Sequence, residues 1–320
     1  VFLGAQGLCL PSQGSGDHPS MALVQKSGRD AIEEIIAKRR FRFRFMKHTA
    51  WENALFVHWP VDPAVIAAQL PRGLEPDILE GCAWIGLVLL TERGVSAHHP
   101  LGRRVVPPID HFGANVRTYV RHNGVPGIFF WSLECSSILA SVGARIAGIP
   151  YFPARMRRDV DREPFSESAC ACTSNCLPAS KGAIATASGN PQSGDSFIFD
   201  FSSVRTGLTK EGPSVSARWR LGGSNGEAEE ELFAARARFF VERYSVYAAW
   251  PLGKGPLLLR GDVEHPPWPI QHATLEALDA EQLLAAAGLP GIAQGPQARQ
   301  PHVCFSRGVG PVEFWMLEPV

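Results

Sequence analysis

At 320 residues with a formal net charge of zero, the chain is long enough for one large domain or two, and its charge total gives no support to a general nucleic-acid or membrane-surface role. A 45% hydrophobic content supports a substantial core, while 26 Pro and 31 Gly suggest many turns rather than a helical bundle. The seven cysteines are an odd number, and Cys9, Cys82, Cys135 and Cys304 stand singly, as reduced core thiols of a cytoplasmic protein would; no apolar run nears the roughly 20 residues that span a bilayer.

In chain order, residues 1–28 read as a disordered tail, with a leader remnant as the other reading. Ile32, Ile35 and Ile36 at helical spacing, with acids early and bases late, predict a helix over Arg29–Arg40. Arg40–Phe45 alternates Arg with Phe, which fits a half-buried edge strand better than a platform for single-stranded nucleic acid. Trp51–Pro60 predicts a strand, and Asp62-Pro63 opens a helix that Pro71 closes. Ala83–Leu90 reads as a buried strand and Arg93–Asp110 as a loop. The His98-His99 pair in that loop has no acid at ligand spacing, so no metal is expected there.

The stretch Asn115–Met156 organises the rest. Asn115, Arg117, Tyr119 and Arg121 alternate with Val116, Thr118 and Val120 in a strand, Asn123-Gly124 predicts a hairpin turn, and Ile128–Leu133 returns as a buried strand. Ser136 or Ser137 caps a short helix carrying Ile138, Leu139, Val142 and Ile146, with Gly148 as its stop, and Ile149–Pro153 leaves it extended. This path brings Arg117, Tyr119, Arg145, Tyr151 and Arg155 into one neighbourhood.

Residues 166–195 are small and polar. Cys170, Cys172 and Cys176 lack a fourth zinc ligand, so the segment reads as a flexible insertion. Phe197–Phe201 and Ser214–Leu221 predict paired strands, Glu227–Tyr244 a helix, Leu257–Val263 a strand, and Leu275–Ala287 a helix stopped by Gly288. Val303–Ser306 and Val312–Leu317 predict a final strand pair. Strands outnumber helices and are joined mainly by hairpins, which predicts one mostly antiparallel α+β domain over residues 29–320. No Gly-rich phosphate loop and no GxSxG elbow occur, and no cofactor is expected.

NVRTYV, GVPGIFFWSLE, GARIAGIPYFPARM, Ser203-x-Arg205, VERYSVYA and EHPPWPIQ follow one another between Trp51 and Leu317. Together they resemble the uncharacterised YqjF-like family, which is grouped with acetoacetate decarboxylase. The resemblance implies a strongly curved, barrel-like sheet with flanking helices. VDPAVIAAQLPRGLEPD is similar to the decarboxylase entry segment, and GARIAGIPYF to its Gly-Arg-Glu-Leu…Pro-Lys-Lys signature. Against that signature, Tyr151 and Phe152 stand where the paired lysines would be, and Gly113 where a strand carboxylate would be. The early catalytic arginine falls near Glu52. Neither tyrosine nor phenylalanine forms an imine, so acetoacetate decarboxylase activity is not expected.

Three functional readings stay open. One is a binding protein for a small anionic, partly apolar molecule, with Arg117 and Arg145 as carboxylate forks, apolar walls from Trp84, Phe130, Trp131 and Tyr151, and further ligand contacts from Asn115, Tyr119, Arg243 and Trp268. The blander account makes Arg117 and Arg145 struts on helix-end carbonyls or on Glu134 and Glu242. The second reading is a lyase or hydratase with Tyr151 or Tyr119 as acid and His265 as base. The third is a protein that acts through its surface, as a homo-oligomer with an exposed apolar patch would. None of the three calls for a metal, a nucleic acid or a membrane.

Overall fold

The computed structural model describes residues 43–99, 103–146, 149–162, 197–206, 212–222, 227–252, 255–293 and 299–320. The expected tail, the helix over Arg29–Arg40, the start of the Arg-Phe alternation, Gly148 and the cysteine-bearing insertion lie outside them.

The first half of the chain forms β1 (Arg44–His48), β2 (Ala50–Val61), α1 (Pro63–Ala67), β3 (Glu75–Pro76), β4 (Ala83–Ala97), β5 (Ile109–His122), β6 (Val125–Cys135), α2 (Ile138–Ile146) and β7 (Tyr151–Arg162). The second half forms β8 (Phe197–Arg205), β9 (Ser214–Leu221), α3 (Glu227–Val241), β10 (Ser245–Leu252), β11 (Gly255–Glu264), β12 (Ile270–Asp279), α4 (Glu281–Ala286), β13 (His302–Val309), β14 (Val312–Trp315) and β15 (Glu318–Pro319). Local chemistry starts and stops these elements. Asp62 Oδ1 accepts the Ala64 amide at 2.8 Å and caps α1, whose first residue is Pro63. Asn123 and Gly124, at φ 49° and 80°, make the tight turn between β5 and β6.

Several boundaries differ from expectation. The segment Arg93–Asp110 is not all loop: β4 runs on to Ala97 and β5 begins at Ile109, because β4 finds ladder partners in both β5 and β1. Leu275–Ala287 is not one helix. Leu275 and Leu278 pair with Trp219 and Ala217 of β9, so the strand continues to Asp279, and only the short α4 follows. Helix propensity is a weak preference, and a waiting strand edge outweighs it. The expected helix ending at Tyr244 stops at Val241, and Ser245–Leu252 adds a strand that the composition had not marked.

Neighbouring strands pair antiparallel, except that β6 pairs parallel with β7 and with β10. The ladder follows the order β1-β14-β11-β10-β6-β7-β8-β9-β12-β13-β2-β4-β5-β3, and additional β6–β5 and β1–β4 pairings turn it back on itself. Two loops of strands result, sharing β4, β5 and β6, in a curved mixed sheet that does not close as a regular barrel. The loop through β7, β8, β9, β12, β13 and β2 is solid. Leu55, Val57, Leu87, Leu89, Val116, Phe199, Trp219, Leu283 and Phe305 fill it, all at most 2% exposed. The loop through β10, β11, β14 and β1 is hollow.

Successive residues of a strand face opposite ways, so the shared strands serve both loops. Leu87 and Leu89 enter the core, while Val88 and Leu90 line the hollow. The parallel β6–β10 contact needs a glycine: a Cβ on Gly127 would lie 2.6 Å from Tyr247 Cε2 and 2.7 Å from the Ser245 carbonyl. Gly127→Ala is expected to lower stability by about 1–3 kcal/mol in urea unfolding, as overpacking does. An unchanged midpoint would contradict the close approach.

Candidate functional site

The hollow loop encloses a cavity of about 380 Å³, within the size range of small-molecule sites. Its wall is mostly apolar, with Phe45, Trp51, Phe56, Val88, Leu90, Phe130, Val263 and Phe314 among its members. Leu139 of α2 both lines the cavity and is 64% exposed, so the cavity opens beside α2.

The strip between β4 and β5 carries most of the polar chemistry. Its pairs run Gly86–Arg117, Val88–Asn115, Leu90–Gly113 and Glu92–His111, and the cavity-lining members of this strip begin at an arginine and end at a carboxylate. Gly86 leaves room for the arginine; a Cβ there would sit 3.2 Å from Arg117 Cγ.

Arg117 is only 8% exposed. Its Nε donates to the Tyr119 hydroxyl at 3.1 Å and its Nη2 to the Phe240 carbonyl in the last turn of α3 at 3.3 Å. The guanidinium carbon lies 5.5 Å from the ring centres of both Phe56 and Tyr119. Two of the five N–H donors of a guanidinium are thus used. Among the described residues no carboxylate pairs with it. Beside it, Asn115 Oδ1 is buried and has no hydrogen-bond partner among the described residues.

Arg243 also lines the cavity, but its charge is met. Its Nη1 donates to Asp77 Oδ2 at 2.5 Å and its Nε to the Phe239 carbonyl at 2.6 Å. Asp77 is in turn held by Arg121 Nε at 2.7 Å. Burial pulls the Arg243 guanidinium below its ordinary value, against the opposing pull of Asp77.

Tyr151 and Trp268 line the cavity as well. Trp268 stacks on Trp51 with centroids 5.6 Å apart. Burial, with Glu92 and Cys135 nearby, pushes the Tyr151 phenol well above its ordinary value, so it stays protonated. His265 faces the cavity too, but Nδ1 lies 2.8 Å from the Pro266 carbonyl and Nε2 3.4 Å from the Arg243 carbonyl. The neutral ring can donate to only one of these carbonyls, and the lone pair of its other nitrogen is turned to the second carbonyl.

Other expected members stand elsewhere. Tyr119 is fully buried behind Arg117, bonded to His58 Nε2 at 2.6 Å. Arg145 is exposed on α2 with its guanidinium over Phe152 at 5.2 Å, and it does not line the cavity. Arg155 is exposed on β7. Of the expected walls Phe130 and Tyr151 are present; Trp84 borders a separate groove and Trp131 packs against the solid core. Glu134 pairs with Arg205 at 2.5 Å, and Glu242 accepts from the Tyr244 hydroxyl and the Trp268 amide, so neither serves Arg117 or Arg145.

Three residues escaped the sequence reading: His48, Glu92 and His111. Glu92 is 7% exposed, with His48 Nδ1 3.1 Å from Oε2 and His111 Nδ1 3.9 Å from Oε1. Burial pushes its carboxyl up, but His111 and His48 outweigh that and hold it below the ordinary range. Its Oε1 fills the space a side chain at Gly113 would take, 2.9 Å from an ideal Cβ. The carboxylate of Glu92 on β4 thus lies against the bare backbone of Gly113 on β5. The available signal was parity: Glu92 shares a face with Val88 and Leu90 at the end of an apolar run. Among the described residues no group of three or more His, Cys, Asp or Glu is arranged to hold a metal ion. No helix among them is long and apolar enough to cross a membrane.

A family model described as an uncharacterized conserved protein, DUF2071, matches residues 48–310. The uncharacterized protein YqjF of Bacillus subtilis (strain 168) is 39% identical over 113 residues, which are 34% of this chain and 45% of the relative. The match therefore spans less than half the length of that relative. Among solved structures, acetoacetate decarboxylase from Legionella pneumophila is similar with a TM-score of 0.48 at 14% identity, over 86% of this chain and 87% of that one. The enduracididine biosynthesis enzyme MppR complexed with pyruvate is similar with a TM-score of 0.46 at 14% identity, over 86% and 91%.

Two outcomes follow for the site. Asp77→Ala leaves the Arg243 charge buried without its partner and is expected to cost about 3–5 kcal/mol in urea unfolding; a loss below about 1 kcal/mol would show that the pair is not a strut. Burial also lowers His58 well below its ordinary value and His302 to about 4. Below about pH 6.5 the unfolded chain takes up these protons and the folded chain does not, so the stability they confer is full at neutral pH and lost towards about pH 4. His302→Gln is expected to flatten part of that fall, read from urea midpoints at about pH 7 and about pH 5.

Proposed function

We propose that this chain, which belongs to the DUF2071 family of uncharacterized conserved proteins, binds a small, partly apolar carboxylic acid in the cavity bounded by β4, β5 and α2. The observation that carries the reading is Arg117, a guanidinium on the cavity wall with no carboxylate partner among the described residues. Removing a cation from water costs several kcal/mol, and buried charges are ordinarily paired. Hydrogen bonds to a hydroxyl and a carbonyl offset part of that cost, and an anion in the cavity supplies the rest. Nearby Asn115 has an Oδ1 with no partner among the described residues, which calls for a donor on the ligand rather than for the carboxylate itself, and the surrounding rings and aliphatic chains suit an apolar body.

The binding reading is favoured over acid–base catalysis by His265, whose nitrogens both face carbonyl oxygens. It needs no imine-forming lysine, since Tyr151 borders the cavity. Acid enters past Leu139 with its carboxylate leading toward Arg117.

Calorimetric titration with short aliphatic, keto and arylalkanoic acids tests this. At least one class is expected to bind, and Arg117→Gln to weaken it by about 10- to 100-fold, the worth of a lost charge-assisted hydrogen bond. Arg117→Lys keeps the charge but not the fork and is expected to fall between the two. Binding unaffected by Arg117→Gln would overturn the reading, as would a failure of every acid to bind.

A further inference from the structure

The cavity has a second pole. From Arg117, the strip passes Asn115 and Val88, then Leu90 with the bare backbone of Gly113, and ends at Glu92 and His111. Six strand positions separate Arg117 from His111 on β5, roughly 20 Å between Cα atoms at about 3.3 Å per residue, before the side chains close the gap. Between the two ends the lining is apolar: Val88, Leu90, Ile128, Phe130 and Leu133.

The Glu92 end is built to present a carboxylate oxygen. Oε2 lies 3.1 Å from His48 Nδ1, a nitrogen that the Trp51 indole N–H also reaches at 2.8 Å, whereas the nearest ion-pair partner of Oε1, His111 Nδ1, is 3.9 Å away and beyond hydrogen-bond reach. Gly113 leaves that oxygen its space. The phenol of Tyr151 stays protonated beside this acid and lines the same end of the cavity, where β7 leaves α2. A cationic pole without an anion and an acidic pole with acceptor capacity thus face one apolar chamber from opposite ends.

We infer that the ligand is ditopic, an acid with a short apolar body and a hydrogen-bond donor, amine or hydroxyl, at the end remote from its carboxylate. The carboxylate meets Arg117 and the donor meets Glu92 Oε1. This rests on the anion-binding reading above and names the class of acid. An acid with a plain hydrocarbon end leaves Glu92 Oε1 without a donor, and an anionic end is repelled there. The chamber therefore discriminates by the far end of the molecule as well as by its head.

Matched pairs of unbranched acids of about six to ten carbons, with and without a terminal amine, titrated calorimetrically into the wild-type chain, test it. The amino acid of the best-fitting length is expected to bind about tenfold more tightly than its unsubstituted partner, the scale of one charge-assisted hydrogen bond. Glu92→Gln is expected to reduce that preference to about threefold or less, and Arg117→Gln to weaken both members alike. Equal binding of both members in the wild-type chain would overturn the ditopic assignment and leave the anion site standing. A preference that survives Glu92→Gln would overturn it as well. No binding of either member at any length would overturn this inference, whereas the anion site falls only if the keto and arylalkanoic acids fail as well. The wild-type ratio decides the matter even if Glu92→Gln fails to fold.

Discussion

Strand alternation in β4 and β5 is the constraint on which the molecule rests. These strands form the partition between a solid loop and a hollow one, so each must satisfy two environments with alternate residues. Ile85, Leu87 and Leu89 are fully buried in the core, with Val116 opposite Leu87. Val88, Leu90 and Glu92, with Asn115 and Arg117, face the other way. A shift of one residue would put Arg117 and Glu92 into the core and remove the cavity's polar ends. Register is therefore enforced by the cost of burying charge among Phe199, Trp219 and Phe305.

The two cavity arginines differ in how their charge is met. Arg243 is tied to Asp77 and to a helix-end carbonyl, and Asp77 is shared with Arg121. That chain anchors the end of α3 to the strip. Arg117 uses the neighbouring Phe240 carbonyl and the Tyr119 hydroxyl, and the faces of Phe56 and Tyr119 lie under its guanidinium. Hydrogen bonds of this kind contribute about 1.5–3 kcal/mol each, and aromatic faces about 0.5–2 kcal/mol. Against a desolvation cost of several kcal/mol for the ion, the balance is close, and an anion in the cavity, as proposed, would tip it. On the proposed reading Arg117 is a strut and a receptor at once, and the strut role explains why it is already oriented.

Much of this was legible in the sequence. The Asn123-Gly124 turn, the Asp62-Pro63 helix start and the alternation from Asn115 to Arg121 reflect local backbone rules, and each lies where those rules put it. So does the mostly antiparallel α+β character. Long-range pairing was less visible. Leu275–Ala287 has a helical composition, but β9 lies alongside and claims its first half. Glu92 was hidden because its partners His48 and His111 come from other strands, and only the fold brings the three together. Arg145 failed to join the cavity for a local reason: on a short helix at the mouth, its long side chain reaches Phe152 and solvent.

The most direct measurement is a crystal structure with a bromine-bearing arylacetic acid, located by anomalous scattering. A bromine peak inside the chamber between Leu90 and Phe130, with the carboxylate on the free edge of Arg117, is expected. A chamber filled by its own side chains, or bromine only on the outer surface, would contradict it.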